Sequence, residues 1–307
     1  MGLLVVHPGL HATVQDRGRT GYREWGVPIA GAFDRGASAL ANALLGNSAD
    51  RAVLELTLVG GTFEAQFPLA IALAGAPMRA AIVRRDGREC PLAIPQSAPL
   101  GAGDRLILGT AAVGARTYLA VRGGWQTPLV LGSRSSEDRL RAGDVLPAEP
   151  GITPFRRPAD LALVGPGHEP IRLVEGPDAP LGYDWEAWET GTLTVGRQSD
   201  RMGLRLDGDI PLVPPSPDRL SAPVAPGAIQ IAGGRAMILG VACGTMGGYP
   251  HVAHVITTDL DRIGQARPGD LLRFRRIEIV EARRIDRRER LARAGYFRCV
   301  AALAANA

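Results

Sequence analysis

The sequence predicts a mainly β protein built from two domains. Its dominant pattern is a short apolar segment closed on both sides by Gly, Pro or Asp, as in RLILGT from Arg105, RTYLAVRGG from Arg116, IRLVEGP from Ile171, GTLTVG from Gly191, AMILGVA from Ala236, HVAHVITT from His251 and LLRF from Leu271. Runs of this length, with β-branched residues inside and turn residues at either end, read as strands. The 39 glycines and 24 prolines are spread between these runs, which suits many short strands and turns. At 307 residues the chain exceeds the usual single core, so two medium domains are expected.

The first break in the strand pattern is DRGASALANALLGN, residues 34–47, where Ala37, Leu40, Ala41, Leu44 and Leu45 fall at helical spacing. Asp34 can cap its start and Gly46 with Asn47 its end, which predicts a short buried helix. Several of the strand-like runs are apolar on both faces, as expected in a barrel wall or packed sheets. AGDRL at Ala102 recurs as AGDVL at Ala142 and PGDLL at Pro268, each a Gly-Asp turn feeding a strand. A longer echo links TVQDRGRTGYR from Thr13 with TVGRQSDRMGLR from Thr194 and points to two related β domains. The Pro-rich stretch from Leu146 to Asp160 is their natural boundary, so the domains are expected over 1–152 and 160–278. From Ile279, spaced Ile, Leu, Tyr and Phe among alternating charges predict one or two helices in a tail over 279–307.

The formal charge is +4, but Glu278, Glu281, Asp286 and Glu289 run through the arginine-rich tail, which reads as a solvated face and not a nucleic-acid surface. All 35 residues counted as Lys+Arg are arginine. Without lysine there is no phosphate-loop lysine, Schiff base or biotinyl-lysine on this chain. Cys90, Cys243 and Cys299 form no C-x-x-C pair, so neither a disulfide framework nor a zinc cage is expected. The most apolar stretch, PLAIALAGAPM from Pro68, is far shorter than the ~20 residues of a membrane span, and no leader is visible, so a cytoplasmic location is expected. His251 and His254 have H-x-x-H spacing, yet residues three apart on a regular strand face opposite ways. Unless a bulge intervenes they cannot share an ion, so they read as structural histidines and no metal site is expected. No G-x-S-x-G elbow marks a serine nucleophile.

Compact polar clusters stand out against this background: QDRGRTGYREWG over 15–26, GAFD over 31–34, LGN over 45–47 and RQSDRMGLRL over 197–206. Arginine offers a rigid fork for carboxylate, phosphate or carbonyl oxygen, and glycine lets a ligand approach the backbone. Each cluster could equally be an Arg-Asp pair that pins a turn.

Taken in order, these clusters with LEL, GARTYLAVRGGW, LGSRSS, AGDVL, EGPD, PGAIQI and GGYPHVAHVITTDLDRIGQARPGDLLRF resemble the biotin-dependent carboxyltransferase family. That family includes the C subunit of bacterial 5-oxoprolinase, allophanate hydrolase subunit 2, the Kip-type antagonists and a domain of urea carboxylase. The resemblance implies two cyclophilin-like β-barrel domains and a smaller partner of related architecture, similar to the B subunit of 5-oxoprolinase. For the 5-oxoprolinase members it also implies an A subunit and ATP-dependent hydrolysis of the 5-oxoproline ring to glutamate. ATP would then serve the hetero-oligomeric complex, and biotin would enter only on another chain.

On this resemblance, Arg19 and Arg201 would bind a substrate carboxylate or carbonyl oxygen, with Asp16 and Asp34 orienting them or handling protons. Backbone N–H groups at Gly247 and Gly248 would face a developing oxyanion, Tyr249 would wall the pocket, and Asn47 and Ser199 would complete the substrate contacts. The sequence departs from the family pattern in two places. Ala242, Cys243 and Gly244 stand where the family commonly has Asp-Arg-Gln, and SSEDRLRAGD from Ser135 lacks a glycine-rich insertion. These losses leave open a non-catalytic regulatory protein of the Kip type as the alternative, beside a carboxyltransferase component using biotin carried elsewhere.

Overall fold

The computed structural model describes residues 1–158, 169–211, 213 and 219–305. The start of the second expected domain, at 160, lies outside the described residues. The protein is mainly β, with a long C-terminal helix. It divides into two compact units, one of Met1–Arg19, Asp34–Gly165 and Arg293–Ala307, the other of Thr20–Phe33 and Pro166–Ala292. Residues 20–33 therefore belong to the second unit, although the sequence places them in the first domain. The physical reason is pairing with residues far along the chain: the Ala30 N–H donates to the Val241 carbonyl at 3.0 Å, and Phe33 packs into the second unit's core.

In the first unit, β1 (Ala12–Gln15), α1 (Arg35–Ala43), β2 (Val53–Thr57), β3 (Leu69–Gly75) and β4 (Arg116–Val121) form the part that carries polar residues. The strands run β1-β2-β4-β3 in an antiparallel sheet edged by Gln96–Leu100. A second sheet orders Val145–Pro147, Gly2–His7, Thr62–Ala65, Arg105–Ala111, Met78–Val83 and Glu89–Leu92. Leu69, Ile71 and Leu73 of β3 share one core with Leu54, Leu119, Leu3, Phe63 and Leu106. The alternate residues Ala70, Ala72 and Ala74, with Ala120 of β4, lie outside that core and are equally buried, and α1 packs on β3 and β4. The sequence LAIALAG thus reads as large residues inward and alanines under a helix, because a short side chain lets the helix approach the sheet.

In the second unit, β5 (Ile171–Glu175), β6 (Ala228–Ala232), β7 (Arg235–Leu239) and β8 (His251–Val255) belong to an eight-stranded sheet. Its order is Leu271–Leu272, Leu193–Val195, Gly203–Asp207, β7, β6, β8, β5, Phe274–Arg276. The two edge strands are consecutive in the chain, separated by Arg273 alone, so the sheet curls into a nearly closed barrel. Leu173, Leu204, Leu206, Ile229, Ile238, Val252, Val255 and Phe274 fill it. The tail is one helix, α2 (Ile279–Ala305), whose Ala282 and Ile285 pack with Ile256 and Ile277.

A bulge interrupts β8. It pairs with β6 as Ala228↔His254 and Ile229↔Ala253, then as Gln230↔His251, so Val252 has no partner of its own. Val252 and Ala253 both turn into the core, which leaves His251 and His254 on the other face together. The expectation of opposed histidines fails here because a regular two-residue alternation does not survive the bulge.

The α1 seat gives a test of the first unit's packing. Ala72→Leu would force a larger side chain under the helix and should cost roughly 1–3 kcal/mol in a denaturant melt.

Candidate functional site

The polar motifs of the first unit are organised by three carboxylates, the half-buried Asp16 and the buried Asp34 and Glu55. Asp16, just past β1, accepts from the Ser133 and Ser135 hydroxyls at 2.6 Å each, from the Arg134 N–H at 2.6 Å and from the Gly18 N–H at 2.7 Å. Burial pushes its pKa up, but these four donors outweigh that and hold it below the ordinary 3.8. Asp16 is therefore an anion saturated with hydrogen bonds. Arg19 reaches the same loop, donating to the Val130 and Ser135 carbonyls. Asp16 and Arg19 thus meet at residues 130–135 and not at each other.

Asp34 caps α1, accepting the Ala37 N–H at 2.8 Å, while its own N–H donates to the Tyr118 hydroxyl at 2.7 Å. Tyr118 in turn donates to Glu55 at 2.8 Å, and Arg116 lies 3.3 Å from the other Glu55 oxygen. Glu55 and Tyr118 are wholly buried and face each other across β2 and β4. Burial first, then the charges of Glu55 and Asp34, push the Tyr118 phenol well above its usual pKa, so it stays a neutral donor. Asn47 ties the end of α1 to β4, donating to the Asn42 side chain and the Val121 carbonyl and accepting the Gly123 N–H at 2.9 Å.

Ser199, Arg201, Gly247, Gly248 and Tyr249 lie in the second unit. Arg201 is buried and donates to the Gly31 carbonyl at 2.8 Å, holding the 20–33 segment onto its own unit. Ser199 accepts the Arg205 N–H at 3.1 Å and closes the RQSDRMG turn with Asp200, which accepts the Met202 N–H at 2.7 Å. Gly247 pairs with Ala222 in a two-stranded ribbon. A Cβ there would stand 2.5 Å from Gln230 Nε2, so only glycine permits that approach. Gln230 also donates to the Tyr249 carbonyl at 3.0 Å, and Tyr249 is 51% exposed. Gly247, Gly248 and Tyr249 thus form an open turn braced from beneath by one amide.

Of the preceding residues, Cys243 and Thr245 are buried while Gly244 and Met246 are exposed. Cys243 joins Val224, Ala228 and Leu239 in a buried cluster, and burial raises its thiol pKa despite the nearby Arg23. A protonated buried thiol is a poor nucleophile. Among the described residues no group of three or more His, Cys, Asp or Glu converges as metal ligands, and no helix is long and apolar enough to cross a membrane.

The model for the carboxyltransferase domain, subdomain A and B, matches residues 25–276. The chain belongs to this family. It is 32% identical over 298 residues to the C subunit of 5-oxoprolinase from Escherichia coli K12, covering 91% of this chain and 93% of that one. A solved structure of the protein TTHA0988 superposes with a TM-score of 0.78 at 34% identity over 89% of this chain, which spans only 56% of that longer chain. The Kluyveromyces lactis urea carboxylase structure gives a TM-score of 0.83 at 27% identity, over 96% of this chain and 29% of its own.

Within this carboxyltransferase-domain chain, sequence reasoning missed Ser133, Ser135, Glu55, Arg116 and Tyr118. Their signals were present. Glu55 is an acid inside the apolar run VLELT, and the two serines sit in GSRSS, which carried part of the family resemblance without a role for either serine.

Asp16→Ala would strand two hydroxyls and two N–H groups and should cost about 1–3 kcal/mol at neutral pH. The folded Asp16 pKa lies below 3.8, so its contribution is full above that value and is lost as pH falls through the lower folded value. Thermal melts of wild type and variant should therefore converge in that acid window and stay parallel above it.

Proposed function

We propose that the chain is the C subunit of a 5-oxoprolinase, acting with partner subunits in the ATP-dependent opening of 5-oxoproline to glutamate. The supporting observation is the match to the Escherichia coli C subunit across 93% of that protein, whereas the urea carboxylase similarity occupies 29% of a much larger chain. ATP is a requirement of the complex in this reading, and the partners are a smaller B-type subunit and an A-type subunit. The absence of lysine means that any biotin involved would have to be carried by another chain.

Opening a lactam places negative charge on the carbonyl oxygen, and fixed N–H donors lower that barrier. The exposed Gly248 is the candidate for this role, with Tyr249 as the adjoining wall, while the Gly247 N–H is turned to Ala222 in the ribbon. Arg19 and Arg201 act as positioning residues in this account, because each spends guanidinium N–H groups on backbone carbonyls. Asp16, Asp34, Asn47 and Ser199 likewise hold loops by backbone hydrogen bonds.

A second reading, a regulatory protein without chemistry of its own, is favoured by the apolar packing around Cys243, where the family pattern has polar residues. One assay separates the two. The purified chain, mixed with its co-encoded partners, ATP and 5-oxoproline, should release glutamate, and omission of this chain should abolish the product. Gly247→Ala should lower kcat on the order of 10²-fold by displacing the Gln230 brace. Turnover by the partners alone at the full rate would support the regulatory reading.

A further inference from the structure

The amide that braces the glycine turn has a second end. Gln230, on β6, is 3% exposed and lies against Gly247, where a Cβ would stand 2.5 Å from its Nε2 and 3.2 Å from its Cδ. Its Nε2 donates to the Tyr249 carbonyl at 3.0 Å, which settles which corner of the amide is nitrogen and which is oxygen. Oε1 is therefore turned away from that carbonyl. It accepts no hydrogen bond among the described residues, and unlike the sealed Gln15 Oε1 it keeps access to solvent. An acceptor held this deep is poorly hydrated, so a ligand N–H that reaches it gains a bond at little cost in displaced water.

Two donors stand beside this acceptor. The Gly248 N–H, on an exposed residue one step past the ribbon, makes no hydrogen bond among the described residues. Ser221 is its neighbour across the ribbon: its Oγ stands 3.6 Å from where a Gly248 Cβ would be, and this residue too is exposed, with its hydroxyl unbonded among the described residues. Ser221 and Gly248 flank the Ala222↔Gly247 pair, and Gln230 lies against the same pair, so the three groups sit on one short frame.

An amide or lactam presents the reverse set, one N–H donor beside a carbonyl oxygen with two lone pairs. A carboxylate or phosphate offers the Gln230 oxygen no N–H, and an ester or lactone sets a lone pair against it. We infer that Gln230 and Ser221 read the amide group of the substrate: Gln230 Oε1 accepts the substrate N–H, and Ser221 Oγ joins the Gly248 N–H as a donor to the carbonyl oxygen. This rests on the lactam reading above and adds to it the residues that select an amide over an ester. Gln230 is then brace and reader at once, since its nitrogen meets the turn and its oxygen meets the ligand.

Nuclear magnetic resonance titration of the full chain with 2-pyrrolidinone and with γ-butyrolactone, which puts oxygen in place of the N–H at nearly the same shape, tests this without requiring turnover. The lactam should shift the Gly248 amide and the Gln230 side-chain amide, and should bind tighter than the lactone by roughly tenfold or more. Gln230→Leu should bring the two affinities together, whereas a merely structural role would weaken both and keep their ratio. Ser221→Ala should weaken both ligands alike. Gln230→Glu keeps an acceptor oxygen and loses Nε2, so it should retain the lactam preference, and it serves if Gln230→Leu does not fold. Equal affinities in the wild type, a lactam preference that survives Gln230→Leu, no weakening in Ser221→Ala, or no shift at Gly248 would each overturn the inference. Failure of the reconstituted complex to release glutamate would instead count against the 5-oxoprolinase reading, and the titration would still decide the roles of Gln230 and Ser221.

Discussion

The Glu55 carboxylate has no access to water, and an isolated charge in that position would be untenable. Arg116 and Tyr118, both on β4, make it tolerable, and in doing so they fix the entry to α1. The Tyr118 hydroxyl is held as a neutral donor to Glu55, which leaves its oxygen to accept the Asp34 N–H. Asp34 can then cap the helix that covers the alanine face of the sheet. One buried charge thus orders a strand, a turn and a helix in sequence. Pairs of this kind add little net stability over apolar packing, but removing one partner is costly, so the network specifies an arrangement.

The same logic governs the other polar motifs. Asp16 gathers the serine loop, Arg201 holds the 20–33 segment, and Asp200 with Ser199 closes its turn. In each case a side chain that looks reactive in sequence satisfies backbone groups that have no strand partner. Gly248 and Tyr249 instead present exposed backbone and aromatic surface, a few residues past a buried thiol whose pKa is raised.

The strands, the short helix and its Asp34 cap were legible because each rests on local periodicity and turn chemistry. LAIALAG, read in the sequence only as part of its most apolar stretch, is a strand buried on both faces, with its alanines beneath α1. Three features were not legible, all of them non-local. The placement of residues 20–33 depends on Val241 and Arg201, far along the chain. The common face of His251 and His254 depends on a bulge that shows only in the pairing with β6. Three of the four donors to Asp16 lie more than a hundred residues away in GSRSS, so the residue could be picked out as polar and important without its task being known.

Amide hydrogen exchange on Tyr118→Phe tests the idea that the buried carboxylate orders the turn into α1. The substitution keeps the ring and removes only the hydroxyl between Glu55 and Asp34. The account predicts faster exchange at Asp34 and through the first turn of α1, with the core amides of β3 and β4 as slow as in wild type. Unchanged exchange at Asp34 and Ala37, or a uniform acceleration across the whole first unit, would contradict it.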